Sequence, residues 1–417
     1  MKKKLTNNKL SVFLNKQTVS VSIITLIVAI LGVHFIIGSH ATSPFTSTEA
    51  ESGKITGSAS IQNDTNASAG KFIKFGAANN NSGFVTVCGL SLCINGQNFT
   101  IHGATAYGTY SQPSTEIALA QASKINTLEL VEFDTQYHTL SDTESTATWT
   151  RVDQFIADAK AAGIHVILNL SEFGQSLQKL GITPTTIDYN TYTDSANSIN
   201  TPYLSFIANR TNTITGVQYK NDPTIAKVEI FGEICFPGES DTTCPAGTSG
   251  TTAQMQSYFS RTENEWHSLA PNILISSGGF SHLDSTDNPT GVSSGIPYQA
   301  IYNDPANSVC DLEVNSTNDY NNSVPKVTNY CKQIGKPWFL SAWSSCYQDT
   351  GYPYYLATDQ AMATHAQDMY NLVHGQSPSN EVGIGSDFWN LRDIGVSAGH
   401  CDIGPAYPLT WSTIQNN

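Results

Sequence analysis

The side chains here whose types could do chemistry are carboxylates and aromatics standing in or at the ends of short β-rich runs. Glu129 sits in the run 127–133, Glu233 near the end of 225–234, Glu313 in 310–318 and Asp387 in 382–391. Carboxyl groups facing one cleft can move protons and activate water. Tyr107, Tyr320, Trp343 and Trp389 stand at or near the ends of the same set of runs. Their flat faces could take part in a binding cleft, with packing as the plainer alternative for each. The eight cysteines form an even set, and outside the cytosol they would be oxidised. Spacing suggests the pairs Cys88–Cys93 and Cys235–Cys244. Cys310–Cys331 and Cys346–Cys401 follow as an open choice, because spacing does not fix connectivity. No C-x-x-C pair or histidine cluster accompanies them, which argues against zinc. No metal, nucleotide or redox cofactor is implied.

These side chains need elements to position them. From Phe84 onward, short β-rich runs alternate with helical segments, the pattern of βα units around a parallel sheet. A hairpin over 84–95 precedes runs at 99–107, 127–133, 165–173, 225–234, 274–279, 310–318, 337–343 and 382–391. Between them, Val152, Phe155, Ile156 and Ala159 recur at helical spacing, as do Met255, Tyr258, Phe259 and Trp266, and Met362, His365, Ala366, Met369 and Val373. These stripes read as packing faces. Eight βα units predict an α/β fold, a (β/α)8 TIM barrel over 84–417, with its functional groups at the carboxyl ends of the strands. An open doubly wound sheet would carry a Gly-rich phosphate loop after its first strand. The segment His102–Gly103–Ala104–Thr105 is not one.

At 417 residues and 39% hydrophobic content the chain can bury a sizeable core. Only 13% of residues are charged, and 34 acids against 20 bases give a net charge of −14, which makes nucleic acid a poor partner. Ser, Thr and Asn supply the missing polarity, as suits an exported protein. Residues 1–41 carry Lys2, Lys3, Lys4, Lys9 and Lys16 without an acid, followed by the apolar run Val19–Ile37. This reads as an export signal, cleaved near Ser39–His40–Ala41 or kept as a membrane anchor. The protein is accordingly expected to be secreted or held at the cell surface. Residues 42–83 read as a linker, and no heptad or symmetric patch speaks to oligomeric state.

The strongest local signal is RTNTITGVQYKNDPTIAKVEIFGE, Arg210 to Glu233. It resembles the endo-β-1,4-mannanase and cellulase type of family 5 glycoside hydrolases, in which R-x-N-x-x-T-G-x-x-Y-K-x-D-P-T-I leads into the fourth barrel strand. Lys336–Pro337 and Asp387–Phe388–Trp389–Asn390 extend the resemblance over essentially all of 84–417. It implies retaining hydrolysis by two glutamates roughly 5 to 5.5 Å apart, with Glu233 as acid/base and Trp389 as a sugar platform. Four positions depart from the pattern. Gly232 replaces the Asn that would bond the sugar's 2-hydroxyl, and Ala342 in KPWFLSAWS stands where the nucleophile belongs. Glu129 takes the place of an Arg, and Asn318–Asp319–Tyr320 stands at a His-x-Tyr.

A methyl group cannot attack an anomeric carbon, so the resemblance leads to two expectations. One is an exported hydrolase of β-1,4-mannan or a related β-glucan. Its inverting form would pair Glu233 with Glu129, Glu313 or Asp387 through a water at wider separation. The other is a non-catalytic barrel that binds polysaccharide at the cell surface, and a surface protein with an idle cleft is a third possibility. Within the linker, residues 49–76 resemble the opening strands of family 6 carbohydrate-binding modules. They are too short to close such a jelly roll and lack its stacking aromatics, so a remnant or docking strand is the favoured reading.

Overall fold

The structure is a computed structural model describing residues 83–106, 113–131, 146–170, 200–231, 251–280, 297–315, 317, 319–347, 356–393, 395–396 and 401–417, and the short strands 59–63, 71–75, 187–188 and 248–249. Residues 1–78 and 79–417 form separate compact units. In the first, Ala59–Asn63 and Lys71–Phe75 pair antiparallel, within the stretch read as a linker. The export signal lies outside the described residues. Among the described ones no helix is long and apolar enough to cross a membrane.

In the second unit eight parallel strands alternate with helices. They are β1 (Ile101–Thr105), β2 (Thr127–Leu130), β3 (His165–Asn169), β4 (Ile225–Glu229), β5 (Leu274–Ser276), β6 (Cys310–Val314), β7 (Trp338–Ser344) and β8 (Gly385–Trp389). The helices are α1 (Pro113–Ala122), α2 (Thr146–Ala162), α3 (Asn200–Asn209), α4 (Thr252–Leu269), α5 (Tyr298–Tyr302), α6 (Val324–Ile334), α7 (Asp359–Val373) and α8 (Pro408–Asn416). Ladder bonds run in the order β5-β4-β3-β2-β1-β8-β7-β6. Ser308 N donates to Ile275 O at 2.8 Å and Glu313 N to Phe280 O at 3.4 Å, joining β5 to β6 and closing the ring.

Parallel strands covered on both faces read as near-continuous apolar runs, and β2, β3, β4 and β6 are buried along almost their whole length. Their outward residues, among them Leu128, Val166, Val228 and Leu312, share one core with Phe155, Phe259, Trp266, Met362 and Met369, members of the helical stripes. A smaller core fills the amino end of the barrel. There Ile101, Ile167, Ala226, Val309, Phe339 and Ile384 meet Val85 and Leu92 of the preceding meander. That meander has three strands, Val85–Cys88, Ser91–Ile94 and Gln97–Phe99. Phe99, expected to begin the first barrel strand, therefore belongs to the plug, and β1 starts at Ile101. The disulfide Cys88–Cys93 is formed as its spacing suggested, the pairs Cys310–Cys331 and Cys346–Cys401 that spacing left open are formed as well, and Cys235 and Cys244 lie outside the described residues.

The segment that carried the family resemblance builds the entry to β4. Asp153 of α2 is fully buried and accepts from Arg210 Nε at 2.9 Å and Nη2 at 2.7 Å, from Thr213 Oγ1 at 2.7 Å and from Tyr219 Oη at 2.6 Å. Asn212 Oδ1 takes the backbone N–H groups of Ile214 and Thr215, and its Nδ2 donates to Asp153 O. Asp222 Oδ1 accepts from Thr224 N at 3.0 Å and pairs with Lys160 of α2 at 3.3 Å. These polar side chains recur in the motif because each satisfies a partner that burial would otherwise strand.

Candidate functional site: the carboxyl half of the barrel interior

Side chains alternate along a strand. With Leu128, Val228, Leu312 and Phe388 facing the helices, their neighbours Glu129, Lys227, Glu229, Asp311, Glu313, Asp387 and Trp389 face the barrel axis. The ammonium of Lys227 lies 2.9 Å from Asp311 Oδ1 and 2.7 Å from Glu229 Oε1, and 4.2 Å from the centre of the Phe339 ring beneath it. Glu129 accepts from Thr105 Oγ1 at 2.9 Å and from Asn169 Nδ2 at 3.1 Å. Asp387 is seated against β1 where only glycine fits, since a Cβ on Gly103 would fall 1.4 Å from Asp387 Oδ1.

Burial disfavours charge here, and the carboxyls also repel one another. Burial raises the Glu129 carboxyl above its usual range, more than Asn169 and Thr105 offset. Glu229 is likewise pushed well up by burial, despite the nearby Lys227. Asp387, fully buried and with neither oxygen hydrogen-bonded, is raised well above the ordinary range by burial and then by Glu129. Burial opposes the charge of Lys227, yet Asp311 and Glu229 outweigh it and hold the ammonium above the usual lysine range. Burial in this interior thus favours the protonated forms of Glu129, Glu229 and Asp387, while Asp311 and Glu229 favour the charged form of Lys227.

The residues singled out in the sequence are distributed unevenly. Glu129 is in this interior, nearly buried, with one oxygen accepting from Thr105 and the other from Asn169. Ala342 lies near the end of β7, partly exposed, and its register partner on β6 is Glu313. Asn315 Nδ2 donates to Glu313 Oε2 at 3.1 Å. Trp389 ends β8 partly exposed, and its peptide bond to Asn390 is cis.

Trp343 belongs to the packing instead. One residue beyond Ala342, it faces the opposite side and is fully buried between Phe388, His365 and Tyr370, so its ring is closed to a ligand. Tyr320 donates its hydroxyl to Ser377 O at 3.0 Å, in the turn after α7, which ties it to the helical layer. Gly232, Glu233, Asn318 and Tyr107 lie outside the described residues.

Reading for function overlooked Lys227, Glu229, Asp311, Asn169 and Thr105. A signal was present, since a lysine and an acid alternating inside a strand that parallel packing should make apolar mark an inward polar face. No group of three or more His, Cys, Asp or Glu residues with metal-binding geometry occurs among the described residues.

No family model matches the chain. It is 24% identical over 364 residues to mannan endo-1,4-beta-mannosidase 7 of Arabidopsis thaliana, covering 75% of this chain and 79% of that protein. It is 27% identical over 171 residues to mannan endo-1,4-beta-mannosidase 3 of Oryza sativa subsp. japonica, covering 37% and 35%. Among solved structures, the endo-1,4-beta-mannanase from Rhizomucor miehei superposes with a TM-score of 0.61 at 18% identity over 80% of this chain and 98% of its own. The endo-beta-1,4-mannanase from Thermotoga petrophila does so with 0.56 at 18% identity over 77% of each. Likeness at these identities establishes the architecture, and the chain is a parallel (β/α)8 barrel of the kind those structures share.

Proposed function

We propose that this chain is an exported glycoside hydrolase-type barrel directed at β-1,4-linked mannan, with Glu233 donating the proton to the departing sugar oxygen. The observation that carries the reading is the coincidence of two things. The chain aligns with a mannan endo-1,4-beta-mannosidase over 75% of its length, and inward acidic side chains line the barrel whose last strand ends in Trp389. In such a site the Trp389 face would stack on a mannose ring while carboxyls bond its hydroxyls. Disulfides suit a secreted or cell-surface protein, and the short paired strands 59–63 and 71–75 suit a remnant of a carbohydrate-binding module.

Ala342 favours a second reading, in which the barrel binds mannan without cutting it. Hydrolysis of soluble mannan by the whole chain and by Glu233→Gln separates the two, alongside a calorimetric binding titration. The hydrolase reading expects sugar release by the natural chain, lowered about 10²- to 10⁴-fold in the variant. Binding with no release by either protein would instead establish the second reading.

A further inference from the structure

We propose that Glu313 is the second catalytic carboxylate of this site, serving as the base that activates water in front of Ala342. The proposal rests on the hydrolase reading above and adds to it which group replaces the missing nucleophile and with what stereochemistry.

Register is the first argument. Glu313 on β6 and Ala342 on β7 are partners on adjacent parallel strands, so their side chains leave the sheet side by side toward the same space. Ala342 presents only a methyl group and is itself partly exposed, while Glu313 beside it is 3% exposed. Glu313 is also held in place. Its N–H reaches Phe280 O at 3.4 Å, Asn315 Nδ2 fixes its Oε2 at 3.1 Å, and its side chain lies on Gly279, where a Cβ would come within 2.2 Å of Glu313 Oε1. A bare glycine three residues beyond β5 is what makes room for this carboxylate.

The competing carboxylates are disfavoured by their surroundings. Glu129 has both oxygens occupied by Thr105 and Asn169, and Asp387 is sealed against Gly103 with no solvent contact. Asp311 lies one layer deeper, bound to Lys227. Glu313 alone among these stands next to the vacated position.

The reaction balances without any further component. A water oxygen bonds to the anomeric carbon from the face opposite the departing sugar while Glu313 takes one of the water's protons. The glycosidic C–O bond breaks, its electron pair staying on the departing oxygen, which takes the proton of Glu233. Water is added across the bond and the anomeric configuration inverts. Solvent exchange then returns both carboxyls to their starting protonation.

The test uses the whole chain and its Glu313→Gln, Glu313→Ala and Ala342→Glu variants with mannohexaose, following rates and the anomer first released by proton NMR, with thermal melting as a check on folding. The natural chain should release the α-anomer. Glu313→Gln should lower kcat by about 10²- to 10⁴-fold with little change in KM. Azide added to Glu313→Ala should restore turnover and yield an α-glycosyl azide, which a merely structural role would not produce. If Glu313→Ala does not fold, the isosteric Gln variant decides. Undiminished turnover by Glu313→Gln, or release of the β-anomer by the natural chain, overturns the assignment of Glu313 and leaves the hydrolase reading standing. No release by the natural chain overturns both.

Discussion

Asp387 and His365 set opposing pH dependences at the scale of single residues. Burial makes Asp387 hold its proton more tightly in the folded barrel than in the unfolded chain, where it ionises around pH 3.9. Above that pH the unfolded state gains by releasing a proton that the folded state holds, so this group's contribution is lost as pH rises. Asp387→Asn preserves the shape without the titration. Its melting temperature should match the natural chain's near pH 3 and exceed it as pH rises above about 4, each tenfold difference in proton affinity being worth about 1.4 kcal/mol. Equal pH profiles for the two proteins would refute this. His365, packed on Trp343, behaves in the reverse sense, because burial lowers it from 6.5 to about 4. The unfolded chain takes up a proton below pH 6.5 that the folded one refuses, so stability falls as pH drops from 6.5 toward 4, by roughly 3 kcal/mol in all. Urea titrations of His365→Gln across that window should show the slope removed.

At the scale of elements, the loop between α3 and β4 is organised by one buried carboxylate. Asp153 satisfies Arg210, Thr213 and Tyr219 together, and Arg210 also lies 4.9 Å over the ring of Trp149. Asp153→Ala would leave a largely buried guanidinium and a buried phenol without their acceptor. Unpairing such a charge costs about 3 kcal/mol or more, and the urea midpoint should fall accordingly. A change below about 0.5 kcal/mol would mean that the loop is held by its backbone bonds alone. This element also explains why resemblance was legible while chemistry was not. The residues that carried the resemblance here secure the approach to β4, whereas Ala342 and Glu129, which depart from its pattern, stand at or near the strand ends.

At the scale of the whole molecule, closure depends on bringing the last βα units back to the first. β8 pairs with β1 in register from Gly385↔Ile101 to Phe388↔Ala104, and Cys346–Cys401 links the segment after β7 to the one after β8 across 55 residues. Cross-linking a loop of that length stabilises by roughly 4 kcal/mol in the chain-entropy account. The double variant Cys346→Ser with Cys401→Ser should therefore melt markedly lower while keeping its far-ultraviolet circular dichroism, and an unchanged melting point would show the link to be redundant.

The sequence by itself determined the barrel, because alternating β-rich runs and helical stripes with inward and outward periodicities leave few ways to bury both faces of eight strands. It also suggested the Cys88–Cys93 pair and supplied the residue types at the strand ends, while the structure settled Cys310–Cys331 and Cys346–Cys401. Only the tertiary structure decided which way those residues face. Trp343 and Ala342 are neighbours in the chain, yet strand alternation buries one against α7 and opens the other to the interior. Lys227, Asp311 and Glu129 are remote in sequence and interact through a shared barrel axis. Glu313 acquired its place beside Ala342 from the β6–β7 register, which depends on pairing between strands and is not written in either segment alone.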